Sequence, residues 1–387
     1  MIVYDKTIVQ NNDLLDEAQS LKKAGFIDKV QYDTIIKELV ITKTHDNILV
    51  RALFFILGVF LYSSICGFLA LISLEALDTN YEYLVFFFAI VGFLGTEILA
   101  RSNFYGHGLD DAFIIGSQLT LAIAVGIATD FDELVMAAII TGTALVSYLR
   151  YLHLSVALLF CLALTYTLVL GIFELDESIH AFLPFIMMVY ALTLFFSSKT
   201  AIQNLATAYY HKGLLLAQNF TLILFYFSGN YLVVRELSVA LLGQDVAIGS
   251  DIPFAFIFYA FTFIVPTAYL VLAVLKKERI LLWIGLLSFC FSVYSIRFYY
   301  SIVPIEIVLT IGGAILFTIT LFTIRKLKNK ETGITFQPDR FTETNAFLTA
   351  EILVTSQIGS IKPELTTESP IEFGGGDFSG GGSGGSF

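Results

Sequence analysis

The feature that most constrains this chain is a series of apolar stretches that follow one another from Leu49 to Arg325. Each is close to the ~20 residues that cross a ~30 Å hydrocarbon layer as a helix. The chain is 57% hydrophobic and 14% charged, whereas a soluble globular domain is typically about 25% charged. The sequence therefore predicts an all-α, polytopic transmembrane helix bundle. Its ten predicted spans lie at approximately residues 49–74, 83–101, 110–129, 133–149, 152–173, 180–198, 212–234, 252–275, 280–300 and 303–325.

The distribution of basic residues predicts the orientation of these spans. With the N-terminus in the cytosol, 20 of the 22 Lys and Arg residues fall on the cytosolic side, and Arg235 and Arg297 fall outside. The positive-inside rule favours this arrangement, in which both termini are cytoplasmic. Neither Gly nor Pro separates the fourth and fifth spans, but merging them would place Lys199 outside, so we predict two spans there. The net charge of -11 argues against a nucleic-acid partner, because nucleic-acid-binding surfaces are basic.

Residues 1–48 precede the ten-helix transmembrane domain, residues 49–325. Apolar residues recur at helical spacing on both sides of a short turn, which predicts a cytosolic helical hairpin. Gly25 suits the left-handed residue that ends the first helix, and Asp28 can cap the second helix together with Gln31. The apolar stripe of the hairpin is too narrow for an independent core, so we expect it to dock on another surface.

Residues 326–387 form a polar cytosolic tail after the last span. Within it, residues 346–358 are apolar enough for one short helix or strand. Its Gly- and Ser-rich end, 373–387, cannot bury enough apolar area to fold, so we expect this tail to be largely disordered. Besides the lipid bilayer, the possible partners are proteins that bind the hairpin or this glycine-rich end. The sequence predicts no oligomeric state.

Polar side chains inside apolar spans are the first candidates for function, because they are costly in hydrocarbon. The candidate path-lining residues are Glu97 in the second span, Gln118 in the third, Gln218 and Asn219 in the seventh, and Pro266 in the eighth. The amides either line a polar path or bridge helices by hydrogen bonds. Pro266 should kink or break its helix, and broken helices often mark transport sites, although structural spans tolerate proline too.

A second group of candidates lies at the predicted inner mouth of the second and third spans. Arg101 follows Glu97 by four residues on the same helix face, which favours an ion pair. Asp110 and Asp111 open the third helix, where its dipole favours negative charge, and His107 lies just before them. This cluster would carry protons or bind a cation. The alternative is a capped, ion-paired helix turn at the membrane surface.

Sequence motifs of the common enzyme classes are absent, including those of P-loop ATPases, zinc proteases, serine hydrolases and dinucleotide enzymes. Cys66, Cys161 and Cys290 are far apart within apolar runs, which excludes a disulfide scaffold and a CxxC-type zinc site. We therefore expect no enzymatic activity, no cofactor and no metal site. His153 and His211 have no partner nearby in sequence, and we predict that both lie at the membrane surface.

The AGFID turn at residues 24–28, followed by a dense set of spans and a polar tail, resembles a group of uncharacterised bacterial multi-pass membrane proteins. These proteins begin with a short cytosolic helical hairpin. The resemblance implies a bacterial inner-membrane protein without assigned chemistry. Two functions remain open at this point. One is a transporter or permease-like protein for a small solute, cation or lipid. The other is a non-transporting scaffold or sensor that acts through its hairpin and tail.

Overall fold

The computed structural model describes residues 2–23, 25–45, 47–73, 81–204, 208–242 and 251–299, together with isolated helical positions between 310 and 326. The regular structure of this described part is helical throughout. Its helices are α1 Lys6–Lys23, α2 Lys29–Glu38, α3 Ile48–Ile72, α4 Tyr81–Arg101, α5 Leu109–Ala128, α6 Glu133–Tyr151, α7 Leu154–Phe173, α8 Glu177–His180, α9 Leu183–Asn204, α10 His211–Gly229, α11 Tyr231–Leu242, α12 Ala255–Lys276 and α13 Arg279–Tyr299.

Helices α1 and α2 form the predicted N-terminal hairpin. Gly25 has a φ of +77°, a left-handed conformation that glycine adopts without steric cost. The Gln31 N–H donates to Asp28 Oδ1 over 2.7 Å, and the Asp28 N–H donates to Gln31 Oε1 over 2.9 Å. This reciprocal capping box fixes the first residue of α2. Both local predictions for the hairpin are confirmed.

Seven helices of the described part are long and apolar enough to cross a membrane, namely α3, α4, α5, α6, α7, α9 and α12. Helices α10 and α11 meet this criterion only together, with a bend of 73° between them, which gives up to eight candidate spans. Helix α13 covers the predicted ninth span, but its apolar part, Arg279–Ser295, is shorter. More than half of the predicted span 303–325 lies outside the described residues, and segments 346–358 and 373–387 lie wholly outside them. The chain is a multi-pass membrane protein.

The predicted fourth and fifth spans are separate helices, α6 and α7. Leu152 stands between them with a left-handed φ of 58°, and its N–H bonds to the carbonyl of Tyr148. This conformation ends α6 without glycine or proline. His153 then becomes the N-cap residue of α7.

Neighbouring helices along the chain pack as pairs, α4 with α5, α6 with α7, α9 with α10 and α12 with α13. Helix α3 packs on α5, and α10 joins the pairs by contacting α7, α12 and α13. Helices α4 and α5 approach closely at Gly92 and Gly95. A Cβ at these positions would collide with Ser117 and Phe113, respectively. These two glycines therefore act in helix packing, as is typical of membrane bundles.

The N-terminal segment, residues 2–45, lies across the end of the bundle where α4 and α6 end and α5, α7 and α10 begin. We call this the hairpin end. The Val3 N–H donates to the Arg150 carbonyl over 3.1 Å, and the Lys43 N–H donates to the Asn103 carbonyl over 2.8 Å. Lys212 at the start of α10 forms an ion pair of 2.9 Å with Asp16 of α1. The hairpin is thus docked on the membrane helices, as its narrow apolar stripe requires.

Candidate functional site

Asp110 organises the loop that precedes α5. Its Oδ2 accepts the Gly106 N–H over 2.6 Å, and its Oδ1 accepts the N–H groups of His107 and Gly108 over 3.0 Å each. Gly108 has a φ of +108°, and a Cβ there would collide with the Arg51 carbonyl oxygen. The side chain of Asp110 is completely buried. This carboxylate therefore satisfies backbone donors at the N-terminus of α5, as its predicted position suggests.

Asp111 contacts an arginine and a histidine from other elements. Arg51 of α3 donates from Nε to Oδ2 over 2.7 Å and from Nη2 to Oδ1 over 2.8 Å. His153 Nδ1 lies 3.2 Å from Asp111 Oδ1, and His153 Nε2 lies 3.3 Å from Asp110 Oδ2. His153 is 3% exposed and lies at the N-cap of α7. We call Arg51, Asp110, Asp111 and His153 the Asp110 cluster.

Glu97 belongs to a different group of charges. Arg101 donates to it from Nε over 2.9 Å, which confirms the predicted ion pair on one face of α4. Arg150 of α6 donates to its second carboxylate oxygen over 2.8 Å, and the Tyr151 hydroxyl donates over 3.2 Å. The predicted inner-mouth residues therefore lie in two clusters, because Glu97 is bonded to α6 and the aspartates are bonded to α3 and α7.

His107, the remaining inner-mouth candidate, pairs with a histidine of the N-terminal segment. Its Nε2 lies 3.1 Å from His45 Nε2, and its ring packs against Phe54 and Phe104 at centroid distances of 4.4 and 4.8 Å. Partial burial, and then the positive charge of His45, lowers the pKa of His107 below its ordinary value.

A cavity of about 50 Å³ separates the N-terminal segment from the hairpin end of the bundle. That volume has room for about three water molecules. Tyr105 on its wall packs against His153 at a centroid distance of 5.2 Å and against Tyr4 at 5.6 Å. Burial raises the pKa of both tyrosines, so both remain neutral phenols. The lining residues are Tyr4, Val9, Asn12, Asp13, Thr42, Tyr105, Tyr148, Leu152, Tyr209 and Lys212.

The candidate path-lining residues do not line this cavity. Gln118 is buried in α5, where its Nε2 donates to Ser147 over 3.0 Å and its Oε1 accepts from Thr143 over 3.0 Å. Both partners belong to α6, so Gln118 bridges two helices. Gln218 and Asn219 are half-buried on α10. Glu97 and Gln118 thus both form hydrogen bonds with residues of α6, whereas Gln218 and Asn219 lie on α10.

The helix break of the bundle lies at Asn230, between α10 and α11. The amide oxygen of Asn230 accepts the Leu232 N–H over 3.1 Å and the Ser295 hydroxyl over 3.1 Å, and its Nδ2 donates to the Tyr226 hydroxyl over 2.9 Å. The Tyr231 N–H, also freed by the break, donates to Thr262 Oγ1 over 3.0 Å. The side chains of Asn230 and Thr262 therefore satisfy backbone N–H groups that the break exposes, and Tyr226 and Ser295 bond to the Asn230 amide.

Helix α12 continues through Pro266, so of the predicted kink or break, the break does not occur there. Proline has no N–H, which leaves the Thr262 carbonyl without its usual partner in the helix. Ser292 of α13 donates its hydroxyl to this carbonyl over 2.5 Å, and it also bonds to the Tyr226 hydroxyl over 2.8 Å. A hydroxyl from a neighbouring helix thus replaces the missing backbone donor. We call Tyr226, Asn230, Thr262, Ser292 and Ser295 the hinge network.

The sequence contains patterns of uncharged polar residues that point to several of these positions, although a search for charged residues does not detect them. Ser288, Ser292 and Ser295 recur at spacings of four and three residues, which places three hydroxyls on one face of α13. Ser228, Gly229 and Asn230 form a turn-type triplet inside an apolar stretch. Such patterns indicate the hinge network.

In the part of the chain that the structure describes, no group of three or more His, Cys, Asp and Glu side chains is arranged to hold a metal ion. No family model, no curated protein and no solved structure matches this chain. Function must therefore be argued from the geometry of these polar groups.

Proposed function

We propose that this chain is a transporter-like membrane protein that carries a small, uncharged polar solute. The observation that supports this most directly is the 73° break between α10 and α11, packed against the proline-containing helix α12. Irregular backbone at membrane depth is tolerated where protein or a water-filled cavity surrounds it, and discontinuous helices commonly form substrate sites.

The hinge network supplies the chemistry for such a role. Its members are hydroxyl and amide groups, which both donate and accept hydrogen bonds. Such groups can exchange partners with one another or with a polar solute when α11 changes its angle. The network contains no charged side chain to compensate an ion, so an uncharged solute is the better match. Gln218 and Asn219 precede the break on α10 and are the candidates to extend the path.

A flux assay tests this proposal. The full chain is reconstituted into liposomes, and swelling in urea, glycerol, other polyols and sugars is followed by light scattering. We expect at least one solute to enter faster than into protein-free liposomes. Ser292→Ala should change that rate, because it removes the donor to the Thr262 carbonyl. Ser64→Ala is the matched control, since it deletes an exposed hydroxyl of α3 that bonds within its own helix. Equal entry of every solute into both kinds of liposome would contradict the proposal.

The docked hairpin favours a second function, a non-transporting scaffold or sensor. The N-terminal segment is joined to the bundle by the Lys212 ion pairs with Asp13 and Asp16, so a protein bound to the hairpin would act directly on the helix ends. Removal of residues 1–48 together with 331–387 should then abolish binding of such a partner. If flux is absent and this truncation changes no interaction, neither function holds.

The proposed location is a bacterial inner membrane with both termini in the cytoplasm. The bias of basic residues supports it, because the predicted ten-span topology puts 20 of 22 on the cytosolic side. Single cysteines placed in segments 2–23 and 174–182 of a cysteine-free variant should differ in their labelling by an impermeant thiol reagent in intact cells. Labelling of the hairpin from outside would reverse the orientation.

A further inference from the structure

The hinge network is closed to solvent, although the proposed transport role requires a solute to reach it. Its five members are each 1% exposed or less. A solute can therefore contact these hydroxyl and amide groups only after a neighbouring element moves aside. Helix α11 is the element that begins at the break, so the contacts that hold α11 in place decide when the network is accessible.

Tyr231, the first residue of α11, connects the hinge network to a second group of polar side chains. Its N–H donates to Thr262 Oγ1 of the network over 3.0 Å. Its ring stacks on Tyr259 of α12 at a centroid distance of 4.0 Å and an interplanar angle of 20°. Tyr259 precedes Thr262 by about one helical turn, so the stacked pair lies against the network on the side nearer the start of α12.

Asp251, which lies shortly before α12, fixes this stacked pair. Its Oδ1 accepts the Tyr231 hydroxyl over 2.8 Å and the Tyr259 hydroxyl over 3.1 Å. Arg235, one turn further along α11, donates from Nη1 to the Tyr231 hydroxyl over 2.9 Å. The phenol of Tyr231 thus stands between a cation and an anion, an arrangement in which each hydrogen bond strengthens the other. We call Tyr231, Arg235, Asp251 and Tyr259 the Asp251 clamp.

Apolar packing alone does not specify the angle of α11. Val234 of α11 packs with Ile252 and Phe258 in one buried cluster. Such contacts are non-directional, so a helix can shift over them while the side chains stay buried. The bonds to Asp251 are directional and weaken steeply when their geometry changes. One carboxylate oxygen therefore carries a directional bond from each of the two helices, α11 and α12.

We propose that the Asp251 clamp is the gate of the transport path, and that Asp251 is the positioning residue that keeps this gate closed. When Asp251 releases the two hydroxyls, the stacked rings part and α11 changes its angle. The hinge network then opens to water at the end of the bundle opposite the hairpin end. This inference rests on the proposed function, because a gate requires a path, but the closure itself can be measured without a solute.

Thiol labelling of the full chain in lipid nanodiscs tests the gate. Cys66, Cys161 and Cys290 are replaced by Ala, and Ser295→Cys places one thiol in the hinge network. A small charged methanethiosulfonate reacts with this thiol only where water reaches it, because the thiolate is the nucleophile. We expect slow labelling with the clamp intact. Labelling should be about tenfold faster in Asp251→Ala, which deletes a charged hydrogen-bond acceptor.

Three further variants show whether hydrogen bonding by Asp251 is the cause. Asp251→Asn keeps an oxygen that can accept both hydroxyls, so its labelling should stay close to that of the intact clamp. Tyr259→Phe removes one of the two donors and should give an intermediate rate. Asp176→Ala is the matched control, because Asp176 is an exposed carboxylate before α8 whose side chain makes no capping bond. It should leave labelling unchanged.

The melting temperature separates a gate from a purely structural contact. If Asp251→Ala lowers the melting temperature and leaves the Ser295→Cys thiol as unreactive as before, the clamp only stabilises the fold and the proposal is wrong. If Asp251→Ala fails to fold, the combination of Tyr231→Phe and Tyr259→Phe carries the same test, because it keeps the carboxylate and removes both donors. An unchanged labelling rate in this double variant would also refute the gate.

Labelling and flux together distinguish this inference from the proposed function. If Asp251→Ala accelerates labelling in a chain that carries none of the tested solutes, the proposed function is wrong and the clamp remains the closure of the hinge network. If the wild type carries a solute and Asp251→Ala changes neither its entry nor the labelling, transport stands and the gate is refuted. Faster labelling together with altered solute entry supports both.

Discussion

The two polar regions of this bundle differ in their chemistry. The Asp110 cluster consists of four ionisable side chains at the hairpin end, where helix ends and the N-terminal segment meet. The hinge network consists of hydroxyl and amide groups at the far end of α10. The 19 residues of α10 separate the two regions by about 28 Å of helix rise.

The difference follows from the cost of charge in hydrocarbon. Ions are tolerated at helix ends, where backbone N–H groups and opposite charges are available and the N-terminal segment shields them from lipid. Next to an interrupted helix, neutral groups satisfy the freed backbone at a smaller cost of desolvation. The ionic region should therefore be sensitive to single charge deletions and to pH, and the hinge network should be sensitive to the loss of hydrogen-bonding groups alone.

The largest expected effect is that of Asp111→Ala in the ionic region. This substitution removes the anion that Arg51 and His153 share, and breaking a buried ion pair from one side typically costs about 3 kcal/mol or more. The free energy of unfolding, measured by denaturation in mixed detergent micelles, reports the loss. Asp13→Ala is the control, because its ion pair with Lys212 is exposed and should be worth less than about 1 kcal/mol. Equal losses in the two variants would remove the distinction between the buried and the exposed ion pair.

Asn230→Ala should have the largest effect in the hinge network. It removes the acceptor for the Leu232 N–H and the bonds to Tyr226 and Ser295, which should cost about 1 to 2 kcal/mol. Asn47→Ala offers a matched comparison, since Asn47 caps α3 from an exposed position. We expect a smaller loss there. The cost of Asn230→Ala should also be the same at about pH 6 and about pH 8, and a strong pH dependence would contradict the uncharged character of this region.

Ser292→Ala should cost about 0.6 to 1.7 kcal/mol, the range that interhelical hydrogen bonds typically contribute in membrane proteins. The reason is specific, because Pro266 leaves the Thr262 carbonyl without a backbone donor and Ser292 supplies one. Pro266→Ala restores that donor. In a double-mutant cycle, Ser292→Ala should therefore cost less in the Pro266→Ala background than in the wild type. Additive effects would mean that the hydroxyl does not substitute for the missing N–H.

The fold was largely predictable from the sequence because most of its signals are local. Apolar stretches marked the helices α3 to α7. Asp28 and Gln31 are three residues apart, so their capping box could be predicted from spacing. The exception is the separation of α6 from α7, which depended on the distribution of basic residues along the chain, since Leu152 is neither Gly nor Pro.

The candidate site was less predictable because its partners are distant in sequence. Glu97 and Arg101 are four residues apart, and their ion pair could be foreseen. Arg150 follows Glu97 by 53 residues, and His153 follows Asp111 by 42, so no spacing rule connects them. A kink or break was expected at Pro266 from local preference alone. Helix α12 stays continuous there, with Ser292 of α13 bonded to the Thr262 carbonyl, which is a tertiary effect.

The smallest effect we predict concerns His107, whose ring pairs with His45. Partial burial and the nearby charge of His45 lower the pKa of His107 in the folded state. Because the pKa of this base is lower in the folded state, the unfolded chain binds the proton more tightly than the folded chain. The folded state therefore loses stability as the pH falls through the unfolded pKa of about 6.5.

The melting temperature of the wild type should therefore fall slightly between about pH 7 and about pH 5, and His107→Gln should reduce this fall by about 1 °C. His180→Gln should not change it. A fall in melting temperature that is as large in His107→Gln as in the wild type would contradict this assignment.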